Sequence, residues 1–411
     1  MKIFLCKGSF AGPVSGADQM IVNYALHLKA AGHDPHVIIT VPFARDNQYL
    51  LRLSAAGIPV KSLGRRLYYR SQLALRQVAL RTPWFAKYRD WEAAAFRTAV
   101  DLLRKQRPDV LHVIAEGGLF IQAAYAAGIP VIHQEPAMPY YGDAPEVQVS
   151  YAKLSESLPL ASELVAVSPR IAQLCRERLN CPEHVSVVPI LVDDLAPEIL
   201  KVKVAGPVTF GFAARIEALK GPMVLLEAFA RIVVAFPAAR LIIAGSGDQE
   251  VEIKRRAQAL SVTERVEFPG NYVDEAGKLA FLDSLDVLVH PSLFEGTPCT
   301  VIEAMAYRLP VIASQVGGVP DMVTSKTGIL VPPNDVDALA TALSTLAGDE
   351  SLRLELGRAA RERYEEIFSP SAVLPMLVEK YQRAIARENP NASFDDLSDD
   401  VIRHPWADLK A

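Results

Sequence analysis

The segment FEGTPCTVIE, Phe294 to Glu303, sets two carboxylates eight positions apart, Glu295 and Glu303, around a Gly-Thr-Pro-Cys-Thr stretch. An ionised carboxylate only accepts hydrogen bonds, and it can take two neighbouring hydroxyls of the kind a sugar or ribose presents. Pro298 suits the first position of a helix, where its missing N–H costs nothing. The N–H groups of Cys299 and Thr300 would then face whatever lies ahead of the helix, a setting that favours phosphate. Glu295, before the helix, is placed for the reacting end of a ligand, and Glu303, more than a turn inside, for a group further along. The pair also fits a helix-start glutamate favoured by the macrodipole plus an ordinary surface glutamate.

Cations that could face such acids stand in GFAARIEALKG (211–221), where Arg215 and Lys220 are followed by Gly221-Pro222. A planar guanidinium and a mobile ammonium beside a helix start suit a pyrophosphate; they equally fit two solvated surface charges. Two glycine-rich turns need separate reading. KGSFAGPVSGAD (7–18) and AGSGDQE (244–250) both fail the GxGxxG spacing of dinucleotide sites, and the first lacks the GK[ST] ending of a P-loop. The second reads as a tight turn, with Glu250 where a third glycine would be needed. The first still lets backbone N–H groups approach an anion or sugar where it enters a helix at Gly16. Asp335-Val336-Asp337 follows Pro-Pro-Asn and reads as a helix cap and first-turn charge. No metal and no cofactor are expected.

These groups need a scaffold, and the apolar runs predict one. KIFLC (2–6), HVIIT (36–40), DVLHVIA (109–115), PVIH (130–133), ELVAVS (163–168) and VSVVP (185–189) alternate with helix-length segments, among them 17–31 and 91–106. The pattern restarts after about 193–207 with VTFGFAA (208–214), RLIIAG (240–245), RVEF (265–268), DVLVHP (286–291), PVIAS (310–314) and GILVPP (328–333). Continuously apolar strands mark parallel sheets covered by helices on both faces. Two doubly wound α/β units follow, with ligands outside the carboxyl ends of the strands. Late helices are expected at about 335–347, 350–366 and 371–388.

Composition agrees. A chain of 411 residues, 50% hydrophobic and 22% charged, is globular and long enough for two or three domains. A net charge of −4 argues against a general nucleic-acid binder. No apolar run approaches the roughly 20 residues of a membrane span. The four cysteines form no CxxC. A soluble, reducing, cytoplasmic setting is expected.

GFAARIEALKG, AGSG, DVLVHPSLFEGTPCTVIEAMAYRLPVIAS and VGGVPDMV resemble the successive signatures of the retaining glycosyltransferases of family 4, also called glycosyl transferases group 1. SGAD, a helix and GHDPHVIIT are similar to the same family's GGAE…GHeV pattern, and PDVLHV and AAGIPVIHQEP to further segments. The likeness covers about residues 1–385. It implies an α/β, GT-B fold of two Rossmann-like doubly wound domains facing across a cleft. Residues 1–195 would be the acceptor domain, with a helix at about 371–388 packing back on it; 205–370 would be the donor domain, and 389–411 a polar tail. The implied activity is metal-independent, retaining transfer of a hexose from a nucleotide-diphosphate sugar to a saccharide or lipid-linked acceptor. The donor is expected to be a UDP-sugar such as UDP-glucose, and the pathway polysaccharide or glycolipid biosynthesis.

The resemblance also implies roles. Arg215 and Lys220 would hold the donor diphosphate, Glu295 the hydroxyls of the transferred sugar and Glu303 the ribose. Gly296, Thr297, Pro298, Cys299 and Thr300 would complete the sugar and phosphate contacts. Gly16 would let the first domain close on the donor, and backbone at Asn271, Tyr272 and Val273 would meet the base. The family often places a histidine after the fifth strand, where this chain has Pro136. His133 or Glu135 would take its part, or the contact is absent; His112 either lines the cleft or is a core histidine. A nucleotide-sugar epimerase or hydrolase of the same fold, and a non-catalytic scaffold, are the rival readings.

One further stretch stands out. Residues 61–107 carry 12 Lys or Arg against 3 Asp or Glu, interleaved with Tyr68, Tyr69, Trp84, Phe85, Tyr88 and Trp91. Basic and aromatic residues on one amphipathic segment suit an anionic membrane surface and a lipid-linked acceptor. A solvated helix pair whose aromatics are core has the same composition.

Overall fold

The computed structural model describes residues 1–8, 10, 16–40, 47–64, 91–115, 117–137, 145–181, 185–194, 206–272 and 274–388. Strands β1 (Lys2–Lys7), β2 (Asp34–Ile39), β3 (Val60–Ser62), β4 (Val110–Ile114), β5 (Val131–Glu135), β6 (Glu163–Ala166) and β7 (Ser186–Val187) form one sheet. Their order is β3-β2-β1-β4-β5-β6-β7, and every pairing is parallel. Strands β8 (Thr209–Ala213), β9 (Arg240–Ala244), β10 (Val266–Gly270), β11 (Val287–His290), β12 (Val311–Ser314) and β13 (Gly328–Val331) form a second. It runs β10-β9-β8-β11-β12-β13, again all parallel. Both sheets are doubly wound, the α/β fold class expected.

The reason lies in the strands. Five of them, β4, β5, β6, β11 and β12, are buried at every position, which requires helices on both faces. The helix Pro222–Ile232 shows how the cover is made. Gly221 turns the chain in the left-handed region, Pro222 occupies the first turn, and Leu225, Leu226, Phe229 and Ile232 return at helical spacing to the buried face. There they join Phe210, Phe212 and Ile243 in the core of the second sheet. Each fully buried side chain of this size contributes about 1.5–3 kcal/mol.

The described residues divide into two units, one within Met1–Leu191 together with 373–388, the other within Val192–Ala372. In the first unit the helix Pro370–Glu388 sends a fully buried Tyr381 to His112, whose Nδ1 lies 2.8 Å from the tyrosine hydroxyl. Tyr24 stacks on the same imidazole with ring centroids 5.7 Å apart. Near its end, Arg387 donates to Ser162 O at 2.6 Å and meets the Glu163 carboxylate at 2.9 Å.

His112 is therefore a core histidine, with no exposed surface. Burial, reinforced by His133 and opposed by the polar side chain of Gln134, lowers it to about 3. Most of the basic-aromatic stretch, including Arg65, Arg66 and Arg70, lies outside the described residues. Among the described residues no helix is long and apolar enough to cross a membrane.

Candidate functional site

In the second sheet the strand order reverses between β8 and β11. Crevices of this kind, outside the carboxyl ends of strands at such a reversal, are where open α/β sheets bind ligands. The loops leaving β8 and β11 are those that carry Lys220 and Glu295, and two details lace them together, a third tying in the loop after β12. Leu293 N donates to Leu219 O at 2.8 Å. Gly221, at φ 66°, passes so close to the second loop that a Cβ would stand 2.2 Å from Pro291 O. Gly318 N, from the loop after β12, donates to Gly296 O at 2.8 Å. That third loop turns at Gly317, where φ is 52° and a Cβ would lie 1.8 Å from Glu295 O. No side chain fits there. The VGG sequence thus fixes the backbone of the very residue that must present a carboxylate.

On this frame the Lys220 ammonium donates to Glu295 Oε1 at 2.6 Å, and His290 Nε2 lies 2.8 Å from the same oxygen. Ser292 Oγ is 3.1 Å from His290 Nε2. Glu295 is only 7% exposed. Burial alone would raise its carboxyl, but His290 and then Lys220 outweigh it and hold the group down to about 2. Two cationic or donor groups converge on one oxygen, so the second, Oε2, is the one suited to meet hydroxyls. The ammonium has three protons and spends one on Glu295, which leaves it able to hold a diphosphate oxygen at the same time.

Arg215 is not drawn into this cluster. Its Nη1 pairs with Glu217 Oε1 at 2.6 Å, with the guanidinium side chain 59% exposed. An exposed pair of this kind is worth little and is readily redirected to a stronger anion.

The helix Cys299–Ala306 begins one residue later than the sequence predicts. Pro298 is the N-cap, with extended backbone at φ −70° and ψ 117°, rather than the first helical residue, and no side chain caps this end. The first-turn N–H groups of a helix have no acceptor inside it, so the phosphate argument survives the shift. Thr297 and Glu303 are buried at 6% exposure each. Glu303 Oε1 accepts from Lys278 Nζ at 2.5 Å. Burial, then the neighbouring Glu303, pushes the Cys299 thiol up to about 12.

Near the expected base contacts, Asn271 Nδ2 donates to Ser246 Oγ at 2.7 Å and the Tyr272 ring lies 6.1 Å from Phe281. Val273 lies outside the described residues. Asp335 caps the helix Val336–Gly348 by accepting from Ala338 N at 2.9 Å, and Asp337 pairs with Arg231.

In the first unit, Gly16 opens the helix Gly16–Ala30. A buried pair of Lys7, the last residue of β1, and Asp18 sits beside it. His133 and Glu135 are not offered to solvent: they are 0% and 1% exposed, with His133 Nε2 3.6 Å from Glu135 Oε2. The strand continues through Glu135 where the sequence predicts its end at His133, which carries both side chains into the sheet's cover. His112, as above, is in the core. None of the three presents a group on the surface.

The sequence reading missed His290, Ser292, Lys278 and the Lys7–Asp18 pair. His290 left a signal, since it ends the strand that feeds the Glu295 loop. Lys278 left none, because its partner is 25 residues away on another helix.

A family model described as Glycosyl transferases group 1 matches residues 200–363, and one described as Glycosyltransferase Family 4 matches residues 14–194. Between them the two models cover both halves of the chain, which is a glycosyltransferase family 4-like protein. Its fold is GT-B. Anabaena HepE, solved in complex with UDP, superposes with a TM-score of 0.73 at 18% identity, over 93% of this chain and 100% of that one. A 2-deoxystreptamine glucosyltransferase of Streptomyces kanamyceticus is 26% identical over 72% of this chain and 83% of its own length. The GDP-mannose-dependent monoacylated alpha-(1-6)-phosphatidylinositol monomannoside mannosyltransferase of Corynebacterium glutamicum is 32% identical over 38% of this chain and 42% of its own. The match spans less than half the length of several such curated relatives.

Proposed function

We propose that the protein transfers a hexose, with retention, from a UDP-sugar such as UDP-glucose to a saccharide or lipid-linked acceptor. The observation that carries this reading is the buried Lys220–Glu295–His290 cluster at the sheet reversal. As the bond from the sugar to the diphosphate breaks, negative charge grows on the leaving phosphate. An ammonium fixed at that point stabilises the transition state more than the ground state. Arg215 would add a second positive charge, Glu295 would hold the transferred sugar, Glu303 the ribose, and Gly296, Thr297, Cys299 and Thr300 the remaining contacts. Fixed cations would serve in place of a metal ion, so turnover is expected to survive EDTA.

The base is where the relatives divide, one being named as GDP-mannose-dependent and another solved with UDP. Melting temperatures with UDP, GDP, ADP and their sugars decide it. The correct nucleotide, at about 100 times its dissociation constant, adds roughly 2.7 kcal/mol of stability. A flat response to all of them overturns the proposal. Free sugar or an epimer formed with no acceptor present would instead favour a hydrolase or epimerase.

The segment 61–107 would bring the enzyme to an anionic membrane surface, where a lipid-linked acceptor resides. Replacing Arg65, Arg66 and Arg70 together by Glu is expected to abolish pelleting with anionic liposomes. Unchanged pelleting removes the membrane contact from the proposal.

A further inference from the structure

Lys278 belongs to no motif, yet it makes one of the most protected ion pairs described here. It lies in the second turn of the helix Glu275–Ser284, and its Nζ donates to Glu303 Oε1 at 2.5 Å, with the two side chains 16% and 6% exposed. Buried ion pairs are poor sources of stability, because desolvating both charges cancels most of the attraction. What such a pair does well is fix geometry. A lone Glu303 carboxylate could rotate about its last torsion, which is broad and roughly two-fold. With Oε1 committed to the ammonium, rotation is stopped and Oε2 is the oxygen left to meet a ligand.

The helix that supplies Lys278 also anchors the loop before it. Asp274 caps that helix by accepting from Gly277 N at 2.8 Å. Tyr272 packs against Phe281 one turn further on, and Asn271 ties the same loop to Ser246 after β9. One short helix therefore holds Tyr272 and Asp274 as well as the orientation of Glu303.

The geometry points to Lys278 as a positioning residue for nucleotide recognition: it holds Glu303 so that the carboxylate selects a ribose carrying its 2′ and 3′ hydroxyls. This rests on the proposed reading of Glu303 as the ribose ligand. A neutral residue at 278 would free the carboxylate to turn and would leave it buried without a counter-charge. Both changes weaken hydroxyl recognition before they touch the diphosphate.

The test is calorimetric binding of UDP and of 2′,3′-dideoxy-UDP to the full chain, or of the guanosine pair if the nucleotide panel selects GDP. Wild type is expected to prefer the ribose form by about tenfold to a hundredfold, the range for hydrogen bonds to a charged group. Glu303→Gln should cut that ratio to a few-fold, Lys278→Met should cut it by at least about threefold, and Lys278→Arg should restore most of it. A purely structural lysine would change melting temperature and both affinities together, leaving the ratio alone. Should Lys278→Met fail to fold, Lys278→Gln keeps the reach without the charge and is expected to give an intermediate ratio. A wild-type ratio in the folded Lys278 variants, with the ratio lost in Glu303→Gln, overturns the role of Lys278 and leaves the ribose reading standing. A ratio unmoved in Glu303→Gln overturns both. Absence of binding by any nucleoside diphosphate is the separate failure of the proposed function.

Discussion

Replacing Lys220 by Ala is expected to lower kcat/KM for the donor by roughly a hundred- to a thousandfold, the usual consequence of deleting one preorganised group at a site of developing charge. The structure adds a second effect to separate from the first. Lys220 and His290 both contact one oxygen of a carboxylate that is 7% exposed. Removing the ammonium leaves Glu295 with His290 alone, and breaking a buried pair in this way costs about 3 kcal/mol of stability. Loss of turnover through partial unfolding would then look like loss of a catalytic group. The double variant Lys220→Met with Glu295→Gln removes both charges at once. Its stability should recover much of the deficit of Lys220→Met, because the two residues are in contact and their effects do not add. Turnover should not recover. Near-wild-type turnover in folded Lys220→Ala would end the assignment of the diphosphate to this lysine.

That coupling could not be read from the sequence, although both residues were picked out there. Lys220 and Glu295 were legible because each follows a continuously apolar strand, and such strands declare themselves when both faces of a sheet are covered. Most of the second sheet was readable for that reason, its edge strand β10 being the exception, with Glu267 and Pro269 exposed. The first sheet's β3 was not: Val60-Lys61-Ser62 has one apolar residue in three, lies at the sheet's edge and is only partly buried. Such a strand exists because β2 offers it hydrogen bonds, and nothing in its own residues requires it. The acceptor-side candidates lie deeper than their sequence positions suggest, for a related reason. Glu135 looks like a loop residue after a strand that ends at His133, yet β5 runs on through it, and a polar residue two places further along a buried strand is carried inward. His112 shows the opposite ambiguity. Its partner Tyr381 is 269 residues away, so satisfaction in the core could not be inferred locally. Spacing along the chain reports which residues share an element; it does not report which cation an acid will choose. Lys220 rather than Arg215 for Glu295, and Lys278 for Glu303, are choices made by loops and helices meeting in three dimensions.

Glu295 is where the second large effect is expected, and it carries a pH signature. Glu295→Ala should reduce turnover by about a hundredfold, and Glu295→Gln by less, since the amide keeps an acceptor for sugar hydroxyls but loses the charge that strengthens those bonds. Stability provides an independent check. The folded carboxyl is held at about 2, below its ordinary value of 4.5. A group depressed in the folded state contributes stability that is complete above its unfolded value and disappears as pH falls through its folded one. The contribution of Glu295, on the order of 3 kcal/mol, is therefore intact above about pH 4.5 and lost between there and about pH 2. Glu295→Gln has no proton to bind at this position. The gap in melting temperature between wild type and Glu295→Gln should consequently be widest near neutrality and close across that acid window. His112, itself lowered to about 3 by burial, also loses its contribution as pH falls from 6.5 through its folded value. It does so equally in both proteins and cancels from the difference. A gap that stays constant from pH 6 to pH 2 would mean that Glu295 is not held by Lys220 and His290 in solution, and the geometry on which the donor site rests would go with it.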